Sequence, residues 1–335
     1  MKTRTFIYLF AFMILSIDNY SYCDGTTTIY TPRGNVVPDT YWRYEYSPST
    51  ISQINADFDQ TYPNATRISD ASRTYNCHGY AWHKSEGGSP VWIGYSTPGS
   101  EEIYFDIPTG DGSYDFISES NATKVSYTGD HSATTTSTAN IYISKWGSLP
   151  LAQHDKNYVP SGYGTANQFL RRSVDVPLDY STLSNALAAA FNEQTVKVTN
   201  TQSVSNYLTV NGGITLQLNA GANLQISPSG RLLVYGTLNV NGTSSFHIPL
   251  DGLNNARSGI TNAMVVVAGG GTANIQYADF KNAGYGLKLW YNSNTVTVQN
   301  CSFTNYGFDF DSKALTVYAS TGNVTVNNNS FTGSN

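Results

Sequence analysis

Charge is scarce in this chain. Asp, Glu, Lys and Arg make up only 12% of its 335 residues, about half the share usual in globular proteins. The 18 basic residues do not outnumber the 23 acidic ones, so the net charge is -5 and no basic excess is available to neutralise phosphates. Nucleic acid is therefore not an expected partner. Cysteine is scarce too: three residues cannot form a disulfide framework. Beyond residue 23 no stretch is long and apolar enough to span a bilayer. What is plentiful is Tyr (25), Gly (29), Thr, Ser and Asn, with 40% hydrophobic residues overall. That content rules out disorder as the main state and suits short strands and turns rather than a mostly helical protein. The length favours two domains over one core.

Residues 1–23 read as a secretory signal. Lys2 and Arg4 supply the positive start, residues 6–17 the short apolar run, and Ser21 and Cys23 the small residues before Asp24. Cleavage after Cys23 places the protein outside the cytoplasm, secreted or at the cell surface or in the periplasm. A lipid anchor on Cys23 is the rival, and the bulky Tyr22 fits it badly. Cys77 and Cys301 then remain, in segments of different character. A thiol kept in an exported protein without a disulfide framework points to catalysis.

The chain changes character near residue 170. From about residue 195 short alternating runs begin at Ile214, Asn223, Arg231 and Thr237, separated by Gly, Pro and Asn turns. A longer repeat follows. Asn-Cys-Ser-Phe at 300–303 and Asn-Asn-Ser-Phe at 328–331 echo Tyr-Ala-Asp-Phe at 277–280, so Phe280, Phe303 and Phe331 are 23 and then 28 residues apart. That period is one coil of a parallel solenoid: the Phe residues stack inside, Asn ladders form at the turns, and Cys301 is a small core residue on the same face as Phe303. The Ala-rich segment 182–191, with Leu183, Leu187 and Phe191 on one face, predicts a helix that caps the first coil, started by Asp179 or Ser181. The carboxylates of the repeat, Asp279, Asp309 and Asp311, read as solvated turn residues. With a repeat motif at its last residues, the solenoid reads as incomplete at the C-terminus. This part resembles the right-handed β-helix proteins of the pectate-lyase-like type, which implies a fold and not an activity.

The chemistry-bearing segment is Tyr-Asn-Cys-His-Gly-Tyr-Ala-Trp-His at 75–83. Cys77 opens a predicted helix, where the dipole favours a thiolate. His131 lies 54 residues later at the start of one predicted strand, and residues 140–147 form the next. His78 adjoins Cys77, but consecutive helix residues point about 100° apart, which excludes it as the base. No tight spacing supports a zinc site from Cys77, His83, His131 and His154. The order of Cys on a helix start, His on a strand and a polar residue on the following strand resembles the papain-like superfamily, in particular the NlpC-like and CHAP-like cell-wall amidases and endopeptidases. The resemblance implies an α+β papain-like domain over residues 28–165, with Cys77 as nucleophile and His131 as general base. The third member stays open among Ser144, Asn140 and His154, since Lys145 has no acceptor for an imidazole N–H. The Gln that many papain-like enzymes place shortly before the Cys for the oxyanion hole is not found here.

Tyr80, Trp82 and Trp146 are candidate substrate-stacking residues. The expected organisation is thus signal peptide 1–23, papain-like hydrolase domain 28–165, linker and cap helix 166–194, and an all-β right-handed parallel β-helix over 195–335. The expected function is hydrolysis of amide bonds in peptidoglycan peptides or exported proteins. The β-helix would present the enzyme or bind surface glycans, and neither metal nor organic cofactor is required. The alternative is a surface or adhesion protein whose papain-like domain has lost activity.

Overall fold

The computed structural model describes residues 24–255, 263–306 and 313–333. The expected signal segment and the repeat carboxylates Asp309 and Asp311 lie outside them. The N-terminal region is mostly strands with few helices. Its elements in chain order are β1 (Gly25–Thr26), β2 (Thr40–Trp42), α1 (Pro48–Thr61), β3 (Thr66–Ser69), α2 (Cys77–Trp82), β4 (Trp92–Ile93), β5 (Tyr114–Phe116), β6 (Lys124–Tyr127), β7 (Ser132–Thr135), β8 (Ile141–Lys145), β9 (Leu151–Asp155) and β10 (Ala166–Arg172). Strands β1, β2 and β4 form a small sheet, and the other seven an antiparallel sheet in the order β3-β9-β8-β7-β6-β10-β5. Helix α1 starts where Ser47 accepts from the Thr50 N–H ahead of Pro48, and it buries Phe58 against Trp146 and Ala152. Strand β10 falls in the segment read as linker. Its residues 170–172 pair with β5 and residues 166–170 with β6, so it belongs to the N-terminal sheet.

The cap helix α3 (Leu183–Ala189) forms, one residue later at its start than the sequence suggests. Its N-cap is Thr182, whose side chain accepts from the Asn185 N–H; neither Asp179 nor Ser181 does this. Asp179 instead receives Arg33 and Arg172. Leu183, Ala186 and Leu187 point into the solenoid core, whereas Phe191 lies beyond the helix and is exposed, with Arg171 over its ring. The helix is shorter than the Ala-rich run, so the period that would carry Phe191 inward stops before reaching it.

From Thr195 the chain is a right-handed parallel β-solenoid of about five turns. Three parallel sheets run along it, beginning at Thr195–Val198, Thr201–Val204 and Tyr207–Val210. The register stacks like on like. Leu224, Leu250, Phe280, Phe303 and Phe331 are successive partners in one row. The rings of Phe280 and Phe303 are 4.7 Å apart at 7°, and those of Phe303 and Phe331 5.0 Å apart at 10°. Each such corner needs a left-handed residue. Tyr277, Asn300 and Asn328 supply it at φ of 51°, 56° and 53°, which is why Asn recurs there. The Asn305 amide donates to the Asn282 carbonyl oxygen at 2.6 Å, one rung of the expected ladder. Cys301 is buried beside this stack, as the repeat implies. Asp279, by contrast, is not simply solvated: it accepts from Ser302 and pairs with His247.

Candidate functional site

Helix α2 begins at Cys77 because Asn76 caps it. The Asn76 carbonyl oxygen accepts from the Gly79 N–H at 2.8 Å and from the Ile93 N–H at 3.2 Å, while its amide donates to the Ile93 carbonyl. One side chain thus starts the helix and bolts it to β4. Gly79 lets the two approach: a Cβ there would sit 1.7 Å from the Val91 carbonyl oxygen. The helix lies across the sheet with Ser132 of β7 beneath it. The Ser132 hydroxyl accepts from the Trp82 indole at 2.9 Å and meets His78 Nδ1 at 2.8 Å.

His78 is therefore the imidazole on the helix side. Its Nε2 meets Asp130 at 2.9 Å, and its Nδ1 faces Glu101 at 3.5 Å. Burial alone would lower its pKa. Attraction to Cys77 and Glu101, with the hydrogen bond to Asp130, outweighs that and raises it well above the ordinary value. Asp130 is lowered by its bond to His78. Glu101 is raised by burial even beside the imidazolium, and its Oε2 makes no hydrogen bond among the described residues. The three groups are close enough to suggest a metal site. The two carboxylates, however, face different ring nitrogens, so a protonated ring serves both where one ion on one nitrogen does not.

His131 is oppositely placed. Alternation along β7 turns Ser132 to α2 and His131 to the other face of the sheet. There its ring stacks on Tyr163 at 4.0 Å and 2°, and meets Tyr127 edge-on at 4.8 Å. It is fully buried, and neither ring nitrogen has a hydrogen-bond partner among the described residues. Burial, then the charges of His78 and His154, depress it well below the ordinary value, so the ring is neutral. The expected hydrogen-bonded Cys77–His131 pair is not made. The link between them is Tyr163, whose phenol is raised by burial and then by the nearby Cys77.

Nor do the third-member candidates reach His131. Ser144 and His154 bond each other at 2.7 Å, and the Trp146 indole donates to the same hydroxyl. Asn140 sits exposed at φ 63° in the turn between β7 and β8, at the end of β7 away from His131. Two of the substrate-stacking candidates are core residues. Trp82 and Trp146 are both 1% exposed, the first packed among Tyr104, Phe105 and Tyr114, the second among Phe58, Tyr62 and His154. Tyr80 is half-buried, and burial raises its phenol. His83, in the zinc alternative, does not join the His78 cluster.

Lys145 completes the surroundings of Cys77. It is fully buried, and its ammonium donates to the carbonyls of Ser72, Gly147 and Leu149 while lying 5.0 Å from the Tyr75 ring. Burial pushes it down to about 7, against the attraction of Glu45 and Cys77. Three carbonyl acceptors are satisfied together only by the protonated form. Cys77 itself is 5% exposed and, like Cys301, carries a free thiol.

Sequence reasoning set His78 and Lys145 aside and gave Asp130 and Glu101 no role. The period-two alternation across Asp130, His131 and Ser132 carried the signal: it sets the first and third toward the helix and the second away. Among the described residues no helix is long and apolar enough to cross a membrane. No family model, curated protein or solved structure matches this chain.

Proposed function

We propose that the N-terminal unit is an exported cysteine hydrolase of papain-like α+β design that cleaves amide bonds, with peptidoglycan peptides or exported proteins as substrates. Cys77 is the nucleophile, and His78, rather than His131, is its imidazole. The observation that carries this reading is the buried His78 imidazole next to Cys77 at the start of α2, anchored by the Asp130 carboxylate at 2.9 Å and raised by the neighbouring Cys77 and Glu101. In the reaction the thiol proton passes to His78. Sulfur adds to the amide carbonyl carbon, the C–N bond breaks, and the proton passes from His78 to the leaving amine. Water then hydrolyses the thioester, returning a proton to the site and freeing the acid. The β-helix presents the enzyme or holds surface glycans.

A second reading, a non-catalytic surface protein, is favoured by one observation: Cys77, His131 and Lys145 are almost completely buried. Iodoacetamide labelling separates the two. In protein carrying Cys301→Ser, the hydrolase reading expects rapid alkylation of Cys77 below the ordinary thiol pKa of about 8.5, slowed by His78→Ala and untouched by His131→Ala. Slow labelling that ignores His78 would make the unit a binding module.

A further inference from the structure

Beside the segment that leads to Cys77 stands a surface the proposed chemistry does not use. Strands β2 and β4 pair with Tyr41 opposite Trp92 and Thr40 opposite Ile93, and Ile93 is the residue that Asn76 grips on both its N–H and C=O. The Trp92 indole donates to the Arg73 carbonyl at 2.6 Å, which fixes its ring plane. Tyr95 meets Trp92 edge-on at 6.1 Å and Tyr41 at 5.7 Å. Over this cluster lies Arg43, its guanidinium 4.8 Å from the Trp92 centroid and 6.0 Å from that of Tyr95.

Arg43 is half-buried, and its Nε is buried without a hydrogen bond. Among the described residues no carboxylate pairs with it. The acids that flank it in sequence are committed elsewhere. Asp39 accepts from Ser96 and from the Thr97 N–H, and Glu45 from Ser72 and the N–H groups of Tyr46 and Arg73. A guanidinium stacked on a ring whose plane is fixed presents its planar fork in a set direction. The group that matches this fork is a carboxylate, held by two parallel N–H donors. Stacking also limits the side-chain freedom lost on binding.

We propose that Arg43, seated on Trp92 and Tyr95, is a carboxylate-receiving subsite, recognising the free acid of a peptide C-terminus or of a sugar acid. Its role as a substrate subsite rests on the hydrolase reading, because the grip on Ile93 and Arg73 sets it beside the Cys77 helix. The binding itself does not.

The test uses the Cys77→Ser protein, so that turnover plays no part, and follows the Trp92 indole N–H by NMR during titration. The probes are acetyl-trialanine with a free C-terminus, the same peptide as its C-terminal amide, and glucuronic acid. The expected result is a saturable shift with at least one acid and none with the amide. Arg43→Met weakens the response by about tenfold to a hundredfold, the range for hydrogen bonds to charged groups. Arg43→Lys keeps the charge without the fork, loses part of the affinity, and serves as the informative variant should Arg43→Met misfold. Which acid binds identifies the source of the carboxylate. Equal binding of acid and amide, no binding of either acid, or an undiminished response in both Arg43 variants overturns the subsite. Slow alkylation of Cys77 in the Cys301→Ser protein, with Arg43-dependent binding intact, would remove the hydrolase reading alone.

Discussion

Replacing Arg33 by Met removes the cation at the centre of a buried ion cluster that ties the N-terminal unit to the solenoid. Arg33 Nη2 reaches Asp175 at 2.8 Å and Asp179 at 2.7 Å, and Nη1 donates to the Asp111 carbonyl at 2.8 Å. Its side chain is 9% exposed and those of the two acids 6% and 1%. Breaking a buried pair by deleting one partner costs about 3–5 kcal/mol, because a desolvated charge is left behind. Here the acids keep some company. Asp179 retains Arg172 at 3.2 Å and the Asp175 N–H, and Asp175 retains the Lys197 N–H at the first coil. The expected loss is therefore at the lower end, about 2–4 kcal/mol at pH 7. Acid should shrink it. Asp175 is already raised by burial, so it neutralises readily once Arg33 is gone. Urea unfolding read by far-UV circular dichroism and by tryptophan fluorescence checks this. Four of the five tryptophans, Trp42, Trp82, Trp92 and Trp146, precede the solenoid. The variant should unfold earlier by fluorescence, with the two signals separating as the units uncouple. Adding Asp175→Asn should restore part of the loss, as a cycle on contacting groups does. A change under about 0.5 kcal/mol at pH 7 with coincident signals would refute the argument that this cluster couples the units.

Other outcomes follow from burial and charge. Phe303→Ala should cost about 3–5 kcal/mol, since the ring is 1% exposed between two others, while Tyr291→Ala, 58% exposed, should stay within about 0.5 kcal/mol by urea denaturation. Asp115 is pushed up to about 6, chiefly by burial against the pull of Lys197, from an ordinary 3.8. The folded state thus holds a proton that the unfolded chain has released. Its contribution is full below the ordinary value, is lost as pH rises to about 6, and amounts to about 3 kcal/mol. Asp115→Asn should flatten the melting temperature over that window, and an unchanged profile would contradict the assignment. Cys301, pushed up to about 11 by burial, should resist iodoacetamide at pH 8 until urea unfolds the solenoid, which intact mass reads directly.

The solenoid was largely legible because its physics is one-dimensional. A residue there meets its equivalents one coil away, so Phe280, Phe303 and Phe331 announced their stack by spacing alone, and the Asn runs marked the turns, where Asn300 and Asn328 take left-handed conformations. Where a contact depended on something outside the repeat, pattern reading lost it. Asp179 resembles a helix cap in sequence, yet its partner Arg33 lies 146 residues away, and Thr182 takes the cap instead. Strand β10 reads as linker because its neighbours are β5 and β6, which no local period reveals.

The candidate site shows the same division more sharply. Cys77 at a helix start followed from the small and aromatic residues that come after it in its own segment, and the structure has it. The choice between His78 and His131 did not follow from any segment alone. His78 was set aside because neighbours on a helix diverge by about 100°. That angle separates side chains about the axis but does not stop the first residue of a helix from contacting the second. What bears on it is which face of β7 meets the helix: the Ser132 hydroxyl meets both His78 and the Trp82 indole, which puts the residue before it, His131, on the far side. The imidazole with acidic neighbours is raised well above the ordinary value, while burial pushes the one stacked on Tyr163 well below it. If Cys77 does chemistry, its pH dependence should follow the groups around His78, and Asp130→Asn should alter it more than any change at Ser144 or His154. The reverse order of sensitivity, measured as the alkylation rate against pH, would return the general base to His131.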